Sequence, residues 1–372
     1  MNKHVLPISS IILSLCVSGC GPTRALALLP TTTPTSTPTV APLEATPTPT
    51  EAPGTLPTPS IVTAPVIFDD DGSPDGTTAL LYLLSHPGVS LQAVSISYGE
   101  AHPQVYIQHI GRILDAFGVN GIPLGAGQDA PLAGSSEFPE WLRQSADGFW
   151  GLPLPNAERS YPVQSAAELM VSVINQNPEP VAIFVSGPCT NLAQALRLDP
   201  GIRENVAAVY IMGGAVYAPG NVQELLPDPD NTVAEWNIYA DPLAAKEVFE
   251  SGLNLYLGPL DATSQVMISA EDTSQWRMGG AIADMAADMY DMLLGSWGVE
   301  YAAIWDLMTA AIMVQPDLCA FQQLHLDVIT QGPNSSGQTV LVPNEEPNTT
   351  VCLEPDGGAI RQTLADVFGH SP

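Results

Sequence analysis

The stretch "PVIFDDDGSPDGTTALLYLL", Pro65 to Leu84, joins a short apolar run to four aspartates within seven residues, Asp69, Asp70, Asp71 and Asp75, and then to a second apolar run. "PVIF" has the length and branching of a buried strand, and "TTALLYLL" reads as a helix. Ser73 suits the N-cap of that helix, Pro74 its first position and Asp75 its first turn. Helix-end electrostatics account for Asp75 but not for three further adjacent carboxylates, which repel unless solvated or held by a cation. Strand alternation groups Asp69 with Asp71 and sets Asp70 on the other side. Such oxygen clusters suit a hard divalent cation, Ca2+ before Mg2+ because Ca2+ tolerates irregular geometry, with a solvated acidic turn as the alternative.

Working outward, strand-like runs alternate with helical ones: "LQAVSISY" then "QVYIQHIGRILDAFG", "PVAIFVSG" then "NLAQALRL", "VAAVYIMGG" then "DPLAAKEVFESG", and finally "NLYLGPL". Repeated strand-helix order with continuously apolar strands predicts an α/β domain, an open and mostly parallel sheet flanked by helices. Ligands of such sheets bind beyond the carboxyl ends of the strands, so the segments that matter are "DDDGSPD", "YGEAHP", "GPCTN", "MGGAV" and "LDATSQ". The segment from Asp284 to Val314 reads as helical, its methionines serving packing. The C-terminal part reads as strands and a closing helix.

Ahead of this domain, residues 1–19 carry Lys3, a short apolar run and the sequence Val17-Ser18-Gly19-Cys20, which reads as an export signal, the run being too short for a membrane span. It resembles a bacterial lipoprotein signal, which implies a lipid on Cys20 and an extracytoplasmic, membrane-anchored protein. Residues 20–63 form a Thr/Pro-rich linker that cannot bury a core and is expected to be a disordered tether, leaving residues 64–370 as the domain. Ten Lys+Arg against 39 Asp+Glu, a formal net charge of -29, argue against nucleic-acid binding by phosphate neutralisation. Outside the cytoplasm Cys319 and Cys352 could pair as a disulfide or stay free, while Cys189 reads as a small buried residue.

The opening motif resembles the Asp-x-Asp-x-Gly-x-Asp-Asp signature of the inosine-uridine preferring nucleoside hydrolase family. The likeness continues in order through "SGPCTNLAQALRLDP", "VYIMGGAVYAPGNV", "AEWNIYADPLAAKEVF" and "IWDLMTAA", from about Pro65 to Phe368. It implies a Ca2+-dependent hydrolase of nucleosides, with Asp71 as metal ligand and general base and the Thr190 main-chain carbonyl and Asp306 as further ligands. Because Thr190 would serve by its backbone alone, its side chain reads as structural, with Asn191 capping the following helix. The resemblance also implies that Asp75, Glu235 and Asn237 hold the sugar hydroxyls, with Met212, Glu100 and Asn221 at the pocket and Asn231 as a substitute for Asn221. Trp305 stands where pyrimidine or mixed-specificity members place a histidine. The resemblance is therefore nearer the purine-preferring branch, in which the base stacks between aromatic rings, the second ring being Trp141, with Trp150 and Phe138 in reserve. In place of the signature's last aspartate the chain has Gly76, and in place of an asparagine it has Glu100. One carboxylate fewer should weaken the metal site unless Glu100 or Asp70 restores the charge. The alternative to an enzyme is a non-catalytic nucleoside- or ribose-binding lipoprotein. The resemblance leaves room for a homo-oligomer, although no interface is readable in the sequence.

Overall fold

The computed structural model describes residues 64–134, 138–156, 160–226 and 230–370. The signal segment, Cys20 and the linker lie outside the described residues.

Strands and helices alternate as the apolar runs predict. The first half holds β1 (Pro65–Asp70), α1 (Pro74–Ser85), β2 (Ser90–Ile96), α2 (Pro103–Ala116), β3 (Leu124–Ala126), α3 (Glu140–Asp147), β4 (Val163–Ser165), α4 (Ala166–Gln176), β5 (Val181–Val185), α5 (Thr190–Leu198) and β6 (Val206–Met212). It continues through α6 (Trp236–Ala240), α7 (Pro242–Phe249), β7 (Leu255–Gly258), α8 (Leu260–Thr263), β8 (Met267–Ser269), α9 (Ala270–Trp276), α10 (Ala281–Trp297), β9 (Tyr301–Ala303) and α11 (Trp305–Val314). The chain closes with β10 (Cys319–Leu324), β11 (Leu326–Val328), β12 (Thr339–Leu341), β13 (Thr349–Pro355) and α12 (Gly357–Gly369).

Nine strands form one sheet in the order β10-β13-β7-β6-β5-β1-β2-β3-β4, parallel throughout except for the β10–β13 pair at one edge. Alternate residues of each strand feed two separate cores. Val66, Phe68, Val94, Ile96 and Phe184 pack with α1, α2, α10, α11 and α12 on one face. Ile67, Ala93, Ile183, Val185 and Ile211 pack with α4, α5 and α7 on the other. Burial on both faces is why these strands read as unbroken apolar runs. Each buried Val, Ile or Phe contributes roughly 1.5–3 kcal/mol, so the central strands hold the rigid frame on which the loops sit.

Two expectations are corrected here. The stretch from Asp284 to Val314 is not one helical unit, because α10 ends in a left-handed cap at Gly298 (φ 64°) and β9 intervenes before α11. Asn191 does not cap α5. Its amide donates to Asp69 Oδ1 at 2.8 Å, and Cys189 takes the cap position. The disulfide between Cys319 and Cys352 is present and ties edge strand β10 to β13, and Cys189 is buried and free. No helix among the described residues is long and apolar enough to cross a membrane.

Candidate active site

From β1 the sheet order runs to β2, β3 and β4 on one side and to β5, β6 and β7 on the other. The crevice beyond the carboxyl ends of β1 and β5 is therefore the switch point at which an open α/β sheet binds ligands. The aspartates of the opening motif lie there. Gly72, at φ 96°, turns the chain out of β1, and a Cβ on it would come within 2.4 Å of the Ala101 Cβ, so only glycine fits. Ser73 caps α1, its Oγ accepting the Gly76 N–H at 2.7 Å, and Pro74 opens the helix as read from the sequence.

The strand ends at Asp70, so simple alternation fails to sort the carboxylates. Asp69 is held within the sheet by the Ser95 hydroxyl at 2.6 Å and by the Asn191 amide. Asp70 is turned toward α1 instead, where its Oδ2 accepts the Gly72 N–H and its Oδ1 the Ser186 hydroxyl, both at 3.0 Å. Asp71 Oδ2 accepts the Glu100 N–H at 3.2 Å. Asp70, rather than Asp69, thus shares the crevice with Asp71.

Helices α1, α10 and α11 supply the opposite wall. Asp75 Oδ1 accepts the hydroxyl of buried Tyr290 from α10, and its Oδ2 accepts the Asp306 N–H of α11 at 2.6 Å. Asp306 Oδ2 accepts the Ser73 hydroxyl at 3.0 Å, while its Oδ1 is buried without a partner. On the β5–β6 side, Glu235 caps α6 and accepts three backbone N–H groups, from Gly214, Asn237 and Ile238. The Asn237 amide donates to the Met212 carbonyl at 3.1 Å. Asn237 thus bridges α6 and the end of β6.

Burial dominates the electrostatics. It pushes Asp70 up to about 7, Asp75 to about 6 and Glu100 to about 8, and it lifts Asp71, Asp306 and Glu235 above the usual carboxylate range. Neighbouring negative charges add to the rise at Asp71, Asp306 and Glu100. No Lys, Arg or His ion pair among the described residues reaches these groups.

The residue types fit a hard cation. The donors are all oxygen, the charges are uncompensated, and Asp306 Oδ1 is an orphaned acceptor in a buried wall. Among the described residues no three His, Cys, Asp or Glu side chains are gathered around a single point as a ready metal shell. The fit therefore stands on donor chemistry and on the orphaned oxygen.

Other sequence-derived residues divide. Thr190 is fully buried, and its hydroxyl donates to Asp241 at 2.8 Å, so the side chain is structural. Asn221 Oδ1 accepts the Trp236 N–H at 3.1 Å, which fixes the start of α6. Asn231 is not available as its substitute, because its amide donates to the Ser336 carbonyl and its Oδ1 accepts two backbone N–H groups. Trp305 lies in an apolar group with Met212, Ala215 and Leu260. Its aromatic neighbour is not Trp141, which is 59% exposed on α3, but Trp297 at the end of α10, 5.9 Å between ring centroids. Of the reserves, Phe138 stacks on Trp236 at 4.6 Å, and Trp150 donates its indole N–H to the Gly72 carbonyl at 3.2 Å. Sequence reasoning missed Tyr290, Ser186 and Trp297; Ser186 opens the "SGPCTN" segment, whereas Tyr290 and Trp297 sit in no recognisable motif.

Solved structures share this architecture. A purine-preferring ribonucleoside hydrolase from Gardnerella vaginalis superposes with a TM-score of 0.71 at 22% identity, covering 82% of this chain and 99% of that one. An inosine-uridine preferring nucleoside hydrolase from Bacillus anthracis gives 0.68 at 25% identity, with the same coverage. The fold is that of the nucleoside hydrolases. The sequence profile of the inosine-uridine preferring nucleoside hydrolases matches residues 66–362, and the chain belongs to that family. A pyrimidine-specific ribonucleoside hydrolase RihA from Citrobacter koseri is 31% identical over 316 residues, 82% of this chain and 97% of that protein. A protein of the same name from Escherichia coli is 30% identical over 312 residues.

Proposed function

We propose that the protein hydrolyses the N-glycosidic bond of ribonucleosides, giving ribose and free base. The observation that supports this reading is the buried Asp306 carboxylate, one oxygen of it without a partner, close to Asp75, Asp70 and Asp71 at the switch point of a nucleoside-hydrolase fold. Asp71, Asp306 and the main-chain carbonyl of Thr190 would hold Ca2+. When bound, the ion supplies charge compensation and Lewis acidity at the sugar.

The chain's own groups then divide the work. Asp71 accepts a proton from the attacking water, whose oxygen bonds to the anomeric carbon as the carbon–nitrogen bond breaks and its electron pair leaves with the base. A carboxylate whose pKa burial has raised is a stronger base than one in water, provided it is ionised when substrate binds. Asp75, Glu235 and Asn237 bind the sugar hydroxyls, with Asp75 fixed by Tyr290 and Glu235 fixed by its three backbone donors. Trp305 and Met212 pack the departing base, Trp297 backs Trp305, and solvent protonates the leaving nitrogen.

Purine nucleosides are the preferred substrates in this reading, because an indole at 305 has no titratable proton and acts by stacking. The RihA relatives favour a pyrimidine reading instead, since they are pyrimidine-specific ribonucleoside hydrolases. Sugar release from inosine, guanosine, adenosine, uridine and cytidine, with Ca2+ or with chelator, separates the two. Chelator-sensitive release from inosine or guanosine supports the purine reading, and release confined to uridine and cytidine supports the other. Tight nucleoside binding with no sugar released would show a binding protein. In this reading the protein acts outside the cytoplasm, tethered by a lipid on Cys20, which the resemblance of residues 1–20 to a lipoprotein signal supports.

A further inference from the structure

We propose that Asp70 is a ligand of the divalent cation and fills the place left by Gly76. This rests on the cation-site reading above and specifies how this chain completes that site. The geometry is steric and direct. A Cβ added to Gly76 would meet Asp70 Oδ1 at 1.8 Å and its Cγ at 2.6 Å, so the Asp70 carboxylate occupies the volume of a side chain at position 76. A carboxylate on the first turn of α1 and this carboxylate at the end of β1 exclude one another. The glycine is therefore not a hole in the acidic wall but the space into which Asp70 is turned.

Asp70 is oriented for the role. It is fully buried, and each of its oxygens accepts one hydrogen bond, Oδ2 from the Gly72 N–H and Oδ1 from the Ser186 hydroxyl. Each oxygen keeps a second lone-pair direction for a cation. The two donors also lock the side chain, so little rotamer freedom remains to be lost on binding. The independent mark of a ligand is Asp306 Oδ1, on a residue 4% exposed, which has no hydrogen-bond partner; the other oxygen of that carboxylate accepts the Ser73 hydroxyl, whose Oγ lies 2.9 Å from the same Gly76 Cβ position that Asp70 Oδ1 blocks. No Lys, Arg or His ion pair among the described residues neutralises Asp70, and the Asp75 carboxylate close to it carries like charge.

The test is calorimetric titration of Ca2+ into the full chain, paired with melting temperatures in chelator and in Ca2+. Asp70→Asn keeps the shape and removes a charge; its one oxygen can still accept the Gly72 N–H, and its NH2 can donate to the Ser186 hydroxyl in place of the bond the carboxylate accepted. It is expected to bind Ca2+ at least about tenfold more weakly and to lose most of the Ca2+-induced rise in melting temperature. In chelator it should melt at or above the wild type, because a like-charge repulsion is gone. Gly76→Asp alone should melt lower, from the 1.8 Å conflict. The double variant Asp70→Ala with Gly76→Asp should recover Ca2+ affinity to within about threefold of wild type, a coupling that two independent sites would not show. Asp70→Asn binding Ca2+ within twofold of a wild type that binds it, or a double variant no tighter than Asp70→Ala, overturns the assignment. A wild type that takes up no Ca2+ overturns the cation-site reading itself, and this assignment with it.

Discussion

Tyr290→Phe tests the wall of the pocket with a single oxygen. The Tyr290 hydroxyl lies 215 residues from its acceptor, Asp75 Oδ1, and both side chains are buried. Phenylalanine retains the ring packing on Trp276, 5.9 Å away, so the change isolates the hydrogen bond. Losing a bond to an ionised acceptor costs about 1.5–3 kcal/mol, and losing one to a neutral acceptor about 0.5–1.5 kcal/mol. Burial sets the Asp75 carboxyl at about 6, with Tyr290 the first of the groups that hold it down. In chelator at pH 8 the group is ionised and the larger cost applies; at pH 5 it is protonated and the smaller one applies. The Tyr290→Phe penalty should therefore be about 1–1.5 kcal/mol larger at pH 8 than at pH 5. At about 2–4 °C per kcal/mol, the variant should melt roughly 3–12 °C below wild type at pH 8. Urea midpoints at the two pH values, converted with a common slope, give the difference. Equal penalties at pH 5 and pH 8, or a penalty under about 0.5 kcal/mol at both, would refute the placement of a charged Asp75 beneath Tyr290.

Other consequences are open to equally direct measurement. Asp70, Asp75 and Glu100 have folded pKa values raised to about 7, 6 and 8, so between pH 4 and pH 8 the native state binds more protons than the unfolded chain. The stability they contribute below pH 4 is lost as pH rises through 6 to 8, and the chelated protein should show a lower urea midpoint at pH 8 than at pH 5. A higher midpoint at pH 8 would contradict the acidic floor. The Cys319–Cys352 bridge closes a loop of sequence separation 33, and its removal by a double Cys→Ser change should cost about 3–4 kcal/mol in equilibrium unfolding. Trp305→Ala should lower kcat/KM for the preferred nucleoside by about 30-fold or more, from lost burial and stacking. Trp141→Ala, on an exposed residue, should leave kcat/KM within about twofold.

The sheet was legible because strands buried on both faces have no choice but to be apolar throughout, and "VIF", "VAIFV" and "VAAVYIM" are. The cap at Ser73 and the turn at Gly72 follow from local rules that need no tertiary information. What escaped the sequence was decided by chain segments meeting late. Alternation separated Asp69 from Asp70 but wrongly grouped Asp71 with Asp69, because β1 ends at Asp70 and the pleat does not continue to Asp71. Trp297 was passed over for Trp141 because ring contact depends on how α10 approaches α11, which no spacing encodes. The helical reading across Gly298 failed because Met, Ala and Leu continue on both sides of a stop that a single glycine imposes. Gly76 looked like a loss in one dimension, and only the position of the Asp70 carboxylate shows the space to be filled.

The central claim is that Asp71 removes a proton from water as the glycosidic bond breaks. Single-turnover sugar release from a saturating nucleoside, by wild type and by Asp71→Asn with Ca2+ present, measures it most directly. The account predicts a fall of at least about 100-fold in the chemical step, the usual worth of a general base, with nucleoside still bound by Asp75, Glu235 and Asn237. An Asp71→Asn variant that releases sugar within threefold of the wild-type rate would contradict it.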